Sequence, residues 1–171
     1  TMISLELMSE DNSIDIYFFE KENREYFERN LPPRPATYFD SEGFKEITRE
    51  LLREQENHDV YMHLIRNAQG TMVGRINLSV LGKDRKTAEL GYRIGENVTN
   101  LGYASEAVKL VLEKAFTTYG LHKIIAGTAT DNLISQRVLL KNGFTFSRII
   151  ENDFQMHNEW IHTAVFEIRN L

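Results

Sequence analysis

Cysteine is missing from all 171 residues, proline occurs three times and tryptophan once. Without cysteine there is no disulfide, no thiolate nucleophile and no zinc–thiolate site, and the composition suits a reducing cytoplasm. The five histidines show no metal-ligand spacing, so no metal is expected. The longest apolar run near the start, Ile16-Tyr17-Phe18-Phe19, is too short for a signal-peptide core or a membrane span, which argues for a cytoplasmic chain with no membrane partner. Thr1 ahead of Met2 reads as a cloning remnant. Positive charge is scarce too: 20 Lys and Arg against 25 Asp and Glu give a formal net charge of −5. Nucleic-acid binding needs a concentrated basic face, so nucleic acid is not the expected partner, and the mild acidity reads as an aid to solubility. Neither G-x-G-x-x-G nor G-x-x-x-x-G-K-[ST] occurs, which excludes the Rossmann fingerprint and the triphosphate loop.

What is present is an ordinary globular composition, 42% hydrophobic and 26% charged, over a length that suits one domain, 1–171, with no repeat or linker. A strand is expected near Ile3–Met8, then helical material from about Asn12 to Asn30. A segment holding all three prolines follows, Pro32-Pro33-Arg34-Pro35, and a helix from about Glu42 to Glu56 capped by Asp40 or Ser41. Strands are expected at Val60–Arg66, Met72–Val80, Thr87–Ile94 and Lys123–Thr130. A helix at Asn132–Lys141 ends at Asn142-Gly143, and a closing pair lies near Phe144–Phe154 and Trp160–Ile168.

The most specific stretch is Thr99-Asn100-Leu101-Gly102-Tyr103-Ala104-Ser105-Glu106-Ala107. Behind its glycine turn, Ala104, Ala107, Val108, Val111, Leu112, Ala115 and Tyr119 recur at helical spacing. The first turn of such a helix presents unpaired N–H groups and the positive end of its dipole, and Gly102 lets an anion come close to the backbone. The pattern therefore predicts a phosphate cradle, which by itself does not identify its ligand.

The flanking elements give the cradle an owner. Ala88-Glu89-Leu90-Gly91-Tyr92 enters the turn, Asn132-Leu133-Ile134-Ser135 lies downstream, and Asn142-Gly143-Phe144 follows. As an ordered set they resemble the GNAT N-acetyltransferases, and within them the RimJ/RimL group, which acetylates N-terminal amines of ribosomal proteins. The chain departs from the family's usual turn in having Thr99 for Arg or Gln and Asn100 for an extra Gly. The resemblance implies an α+β fold: a mixed, mostly antiparallel sheet flanked by helices, with two neighbouring strands splayed at the cofactor. It implies acetyl-CoA as acyl donor, held by Thr99, Asn100, Leu101, Gly102, Tyr103 and Ala104 at the diphosphate. Backbone groups of Tyr92, Arg93 and Ile94 would serve the pantetheine amides, as would Asn132, which is equally suited to capping a helix.

For catalysis the resemblance points to Glu89 as a base acting through water and to Ser135 as a partner for the departing sulfur. A solvated strand carboxylate paired with Arg75 or Arg93 is the plain alternative for Glu89, and a first-turn helix serine for Ser135. The family's tyrosine position is Leu139, so tyrosine acid chemistry is not expected. Asn30, Arg34 and Tyr38 are candidates for the wall of the acceptor pocket, or parts of a rigid connector. His157, Glu159 and Trp160 fit a hairpin.

An α-amine titrates near ~7.7–8.0 and a lysine near ~10.4, so freeing the lysine nitrogen costs roughly 3.5 kcal/mol more at neutral pH. A protein N-terminus is thus the first expectation for the acceptor. A small amine such as a polyamine, amino acid or antibiotic is the second, and a non-catalytic CoA-binding module is the third. The assembly state is open, a homodimer being one option.

Overall fold

The computed structural model describes residues 2–170, so Thr1 lies outside the described residues. The chain runs β1 (Ile3–Leu7), α1 (Ser13–Glu22), α2 (Arg24–Asn30), a 3-10 turn (Ala36–Phe39), α3 (Ser41–Glu56), β2 (Val60–Asn67), β3 (Met72–Leu81) and β4 (Thr87–Ile94). A second 3-10 turn (Glu96–Val98), α4 (Tyr103–Thr117), β5 (Lys123–Ala129), α5 (Leu133–Lys141), β6 (Thr145–Met156) and β7 (Glu159–Arg169) complete it. The strands hydrogen-bond in the order β1-β2-β3-β4-β5-β7-β6. Antiparallel pairing joins β1 to β2, β5 to β7 and β6 to β7, whereas β4 and β5 run parallel. This is the expected α+β arrangement, a mixed, mostly antiparallel sheet with helices. The β4–β5 ladder consists of Thr87, Ala88 and Glu89 opposite Lys123, Ile124 and Ile125, and it stops there although both strands continue.

Two compact units divide the chain. The first runs as far as Asn77 and includes Tyr92–Tyr103; the second comprises Leu78–Gly91 and the residues from Ala104 onward. In the first unit, Met8, Ile16, Tyr38, Phe44, Met62 and Leu64 form a buried cluster, with Ile47 and Leu51 of α3 packed against it. The helical stretch expected to be continuous from Asn12 to Asn30 is broken at Asn23. Its side chain donates to the Phe19 carbonyl at 2.9 Å and accepts from the Glu96 amide at 2.9 Å, so it competes with the backbone ladder that would carry the helix onward. Asp40 stands at the N-cap place of α3, but its side chain makes no capping hydrogen bond.

In the second unit α4 buries Ala107, Val108, Val111, Leu112 and Ala115, the face read from the periodicity. It ends at Thr117, so Tyr119 falls beyond it, short of Gly120 at φ +69°. The β6–β7 hairpin turns through His157 and Asn158, both left-handed (φ 51° and 64°), the pattern of a two-residue turn matched to strand twist. Trp160 pairs with Gln155 across this hairpin and stays exposed.

Candidate active site

The turn after β4 is shaped by two left-handed residues, Asn100 (φ 68°) and Gly102 (φ 78°). Glycine takes this conformation freely, and asparagine tolerates it better than most residues. Asn100 therefore suits the backbone that a glycine would adopt. Thr99 donates its hydroxyl to the Glu96 carbonyl at 3.2 Å and so braces the turn from within. A Cβ built on Gly102 meets no atom within 4 Å. Substitution there is opposed by the dihedral angle, and the space over the backbone is open to a ligand. Leu101 and Gly102 are exposed, Tyr103 is buried and Ala104 half-buried at the start of the fifteen-residue α4, whose first N–H groups lack helical partners. This backbone leaves open space and unpaired donors for an anion.

On β4, Ala88 and Leu90 are buried and Glu89 is exposed, as strand alternation requires. Glu89 is also the last β4 residue in the ladder to β5. Tyr92, Arg93 and Ile94, half-buried, lie beyond that end of the ladder. Gly74 on β3 permits close approach to this segment: a Cβ there would come within 2.6 Å of the Arg93 carbonyl oxygen. Arg75 and Arg93, the partners weighed for Glu89, are instead committed to Glu20.

That glutamate was not singled out in the sequence, and it organises the most charged part of the first unit. Glu20 on α1 is 1% exposed and accepts from Arg34 at 2.7 Å, Arg75 at 2.9 Å and Arg93 at 3.2 Å. Arg75 also donates to the Tyr38 hydroxyl at 3.3 Å. The Arg34 guanidinium lies over the Tyr38 ring at 5.2 Å and that of Arg93 over Phe27 at 5.0 Å. Burial pushes the Glu20 carboxyl up, but the Arg34 hydrogen bond and the three positive charges outweigh it and hold the group below its usual range. Burial raises the Tyr38 hydroxyl, and burial followed by the like charge of Arg34 brings Arg93 down to about 10. A periodic signal was available: Glu20 shares the spacing of Ile16, Phe19 and Phe27, and a carboxylate on an apolar stripe implies a buried cation.

In the second unit, the Asn132 side chain accepts from the Ser135 backbone amide at 3.1 Å, which makes it the N-cap of α5. Ser135 is half-buried in the first turn of that helix. At the other end Asn142 donates to the Val138 carbonyl at 2.9 Å and to both oxygens of Ser105 at 3.2 Å. Among the described residues no group of three or more His, Asp or Glu side chains is arranged to hold a metal ion, and no helix is long and apolar enough to cross a membrane.

A turn with two left-handed residues thus opens α4 and follows β4, whose ladder to β5 ends at Glu89. The family described as Acetyltransferase (GNAT) domain matches residues 4–145, and the chain belongs to that family of acetyl-CoA-dependent N-acetyltransferases. A Bacillus subtilis (strain 168) protein described as "Probable N-acetyltransferase YjcK" is 30% identical over 153 residues, 88% of this chain and 84% of that protein. In fold the chain is similar to the ribosomal-protein-S5-alanine acetyltransferase from Vibrio fischeri, with a TM-score of 0.91 at 18% identity over 99% of this chain and 94% of that one. It is similar as well to the spermidine N-acetyltransferase from Vibrio cholerae in complex with CoA and spermine, with a TM-score of 0.82 at 17% identity, covering 98% and 95%.

Proposed function

We propose that the chain acetylates the N-terminal α-amine of a polypeptide, with a ribosomal protein the first candidate. The observation that carries this reading is Glu89, an exposed carboxylate at the last residue of the β4–β5 ladder. A carboxylate reaching the amine through water suffices for a nitrogen that is already partly neutral near pH 7. A lysine or polyamine nitrogen asks for more.

Bound acetyl-CoA supplies a thioester whose acetyl group passes to the amine nitrogen, a C–N bond replacing the C–S bond. Glu89, through an intervening water, takes the proton that the attacking nitrogen gives up. Ser135 offers a hydrogen bond to the sulfur as it leaves and takes up a proton. The backbone at Thr99, Asn100, Leu101, Gly102, Tyr103 and Ala104 receives the diphosphate, while Tyr92, Arg93, Ile94 and Asn132 serve the pantetheine arm. The whole chain acts as one acetyltransferase domain.

Acetyl-CoA at about a hundred times its Kd adds roughly 2.7 kcal/mol of stability, a rise in Tm of roughly 5–11 °C for a chain of this size. Glu89→Gln is expected to lower kcat about a hundredfold with unchanged acetyl-CoA affinity. Mass-spectrometric mapping on a peptide carrying both amines should find the acetyl group on the α-nitrogen. Lysine modification alone, or fast turnover of a small amine with none on any peptide, overturns the N-terminal reading.

A further inference from the structure

Over its second half β5 is laddered on one side only. Toward β7 it is paired from Lys123 to Ala129, whereas toward β4 the ladder ends at Ile125. Which groups are left over follows from the alternation of hydrogen bonds along a strand. Just past the end of β5 the Thr130 amide donates to the His162 carbonyl at 3.0 Å, so the even-numbered residues of the strand turn their N–H and C=O groups toward β7. At its start the Lys123 amide donates to the Lys86 carbonyl at 3.1 Å, so the odd-numbered ones turn theirs toward the β4 side. Beyond the ladder these are Gly127 and Ala129. The Ala129 carbonyl accepts from the Asn132 amide at 3.0 Å and from the Gln136 side chain at 3.3 Å. Among the described residues, the N–H and C=O of Gly127 and the N–H of Ala129 are left without a partner. Gly127 is exposed and has no side chain to stand over these groups. Glu89 is paired with Ile125, so its carboxylate leaves the sheet on the face of Ile125 and Ala129, at the point where the unpaired stretch begins. All of these residues belong to the second unit.

We infer that the β5 edge at Gly127 and Ala129 is a docking strand for the acceptor, whose first residues add to it as a parallel strand with the N-terminus at Glu89. The inference rests on the N-terminal acetylation reading and names how that substrate is held. The edge offers N–H, C=O and N–H at strand spacing, and a polypeptide meets them with C=O, N–H and C=O from alternate residues. Direction follows from Glu89. It lies at the Ile125 end, so a chain whose amine sits there runs toward Ala129, in the same sense as β5. In parallel pairing the carbonyl of the first acceptor residue accepts from Gly127 and the amide of the third donates back to it, while the amide of the second points away. Main-chain bonds read no side chains, so this edge accepts many N-terminal sequences, and a small amine without a peptide backbone gains nothing from it.

The test uses the full chain and acceptor peptides methylated at a single backbone nitrogen. Methylation at the third residue should raise KM roughly threefold to tenfold with kcat little changed, and methylation at the second residue should leave KM as it is. Equal effects of the two, or none, overturn the docking strand while leaving N-terminal acetylation intact. On the protein side, Ala129→Pro removes the Ala129 N–H without breaking a ladder bond, at a place where a strand edge accepts proline. It should raise the KM of the unmodified peptide by a similar factor and leave acetyl-CoA affinity, read by calorimetry, unchanged. An unchanged peptide KM in the folded variant overturns the inference. So does a loss of acetyl-CoA affinity in place of peptide affinity, which would give the edge to the pantetheine arm. If Ala129→Pro does not fold, the methylated peptides on the wild type decide alone. A panel in which no peptide is acetylated overturns the N-terminal reading and the docking strand with it.

Discussion

The first unit contains two positively polarised regions built by opposite means. The turn from Thr99 to Gly102 uses partial charges on backbone N–H groups, lies at the surface and draws on adjacent residues. The arginine group uses full charges on side chains, is mostly buried and gathers positions 20, 34, 75 and 93 from four separate segments. Backbone dipoles survive replacement of the side chains that decorate them. A buried ionic group tolerates nothing of the kind, because removing one member leaves the others uncompensated.

The largest effect should come from the member on which the others converge. Glu20→Gln leaves three arginines around a neutral amide and is expected to cost about 3–5 kcal/mol in urea unfolding. A loss below about 1 kcal/mol would mean that the arginines reorganise freely and that the contrast fails. The same variant has a pH signature. The folded-state pKa of Glu20 lies below its ordinary value of 4.5, so its contribution is fully present above that pH and is lost as the pH falls through the folded value. The wild type should therefore lose more stability on acidification than Glu20→Gln does, as read by Tm against pH.

In the turn, Gly102→Val places a branched residue at φ +78° and should weaken acetyl-CoA binding by roughly tenfold or more, from about 1–3 kcal/mol of backbone strain. Calorimetry checks it, with circular dichroism showing the fold retained; a folded variant with normal affinity removes the cradle assignment. Asn100→Ala should cost about 1 kcal/mol of stability and Asn100→Gly only a few tenths, a split that isolates the dihedral from the side chain. Thr99→Ala, which removes one hydrogen bond inside the turn, should have the smallest effect, about 0.5 kcal/mol or a little more.

The same contrast explains what could be read from the chain. The strands at Val60–Asn67, Met72–Leu81 and Thr87–Ile94 and the buried face of Tyr103–Thr117 follow from patterns within a few residues, and their observed limits lie close to those expected. The glycine turn is local in the same sense. Arg75 and Arg93 were visible as cations but were weighed as partners for Glu89, since nothing in a linear pattern says that a carboxylate 55 residues earlier holds Arg75. The break at Asn23 was hidden for a similar reason: its cause includes the amide of Glu96, 73 residues away. The tight approach at Gly74 is a property of two strands and cannot be seen in one.

The nine-residue α5 is bracketed by two asparagines that hydrogen-bond in opposite senses. At Asn132 the side-chain oxygen accepts from an amide, and at Asn142 the side-chain nitrogen donates to three oxygens. Changing either to aspartate is the same single-atom exchange, with opposite meanings. At 132 a carboxylate keeps the acceptor and gains from the positive end of the helix. At 142 the donor is lost and negative charge faces the Val138 carbonyl and both oxygens of Ser105. Slow hydrolysis of side-chain amides during ageing or storage would therefore pass harmlessly at one end of this helix and act as damage at the other.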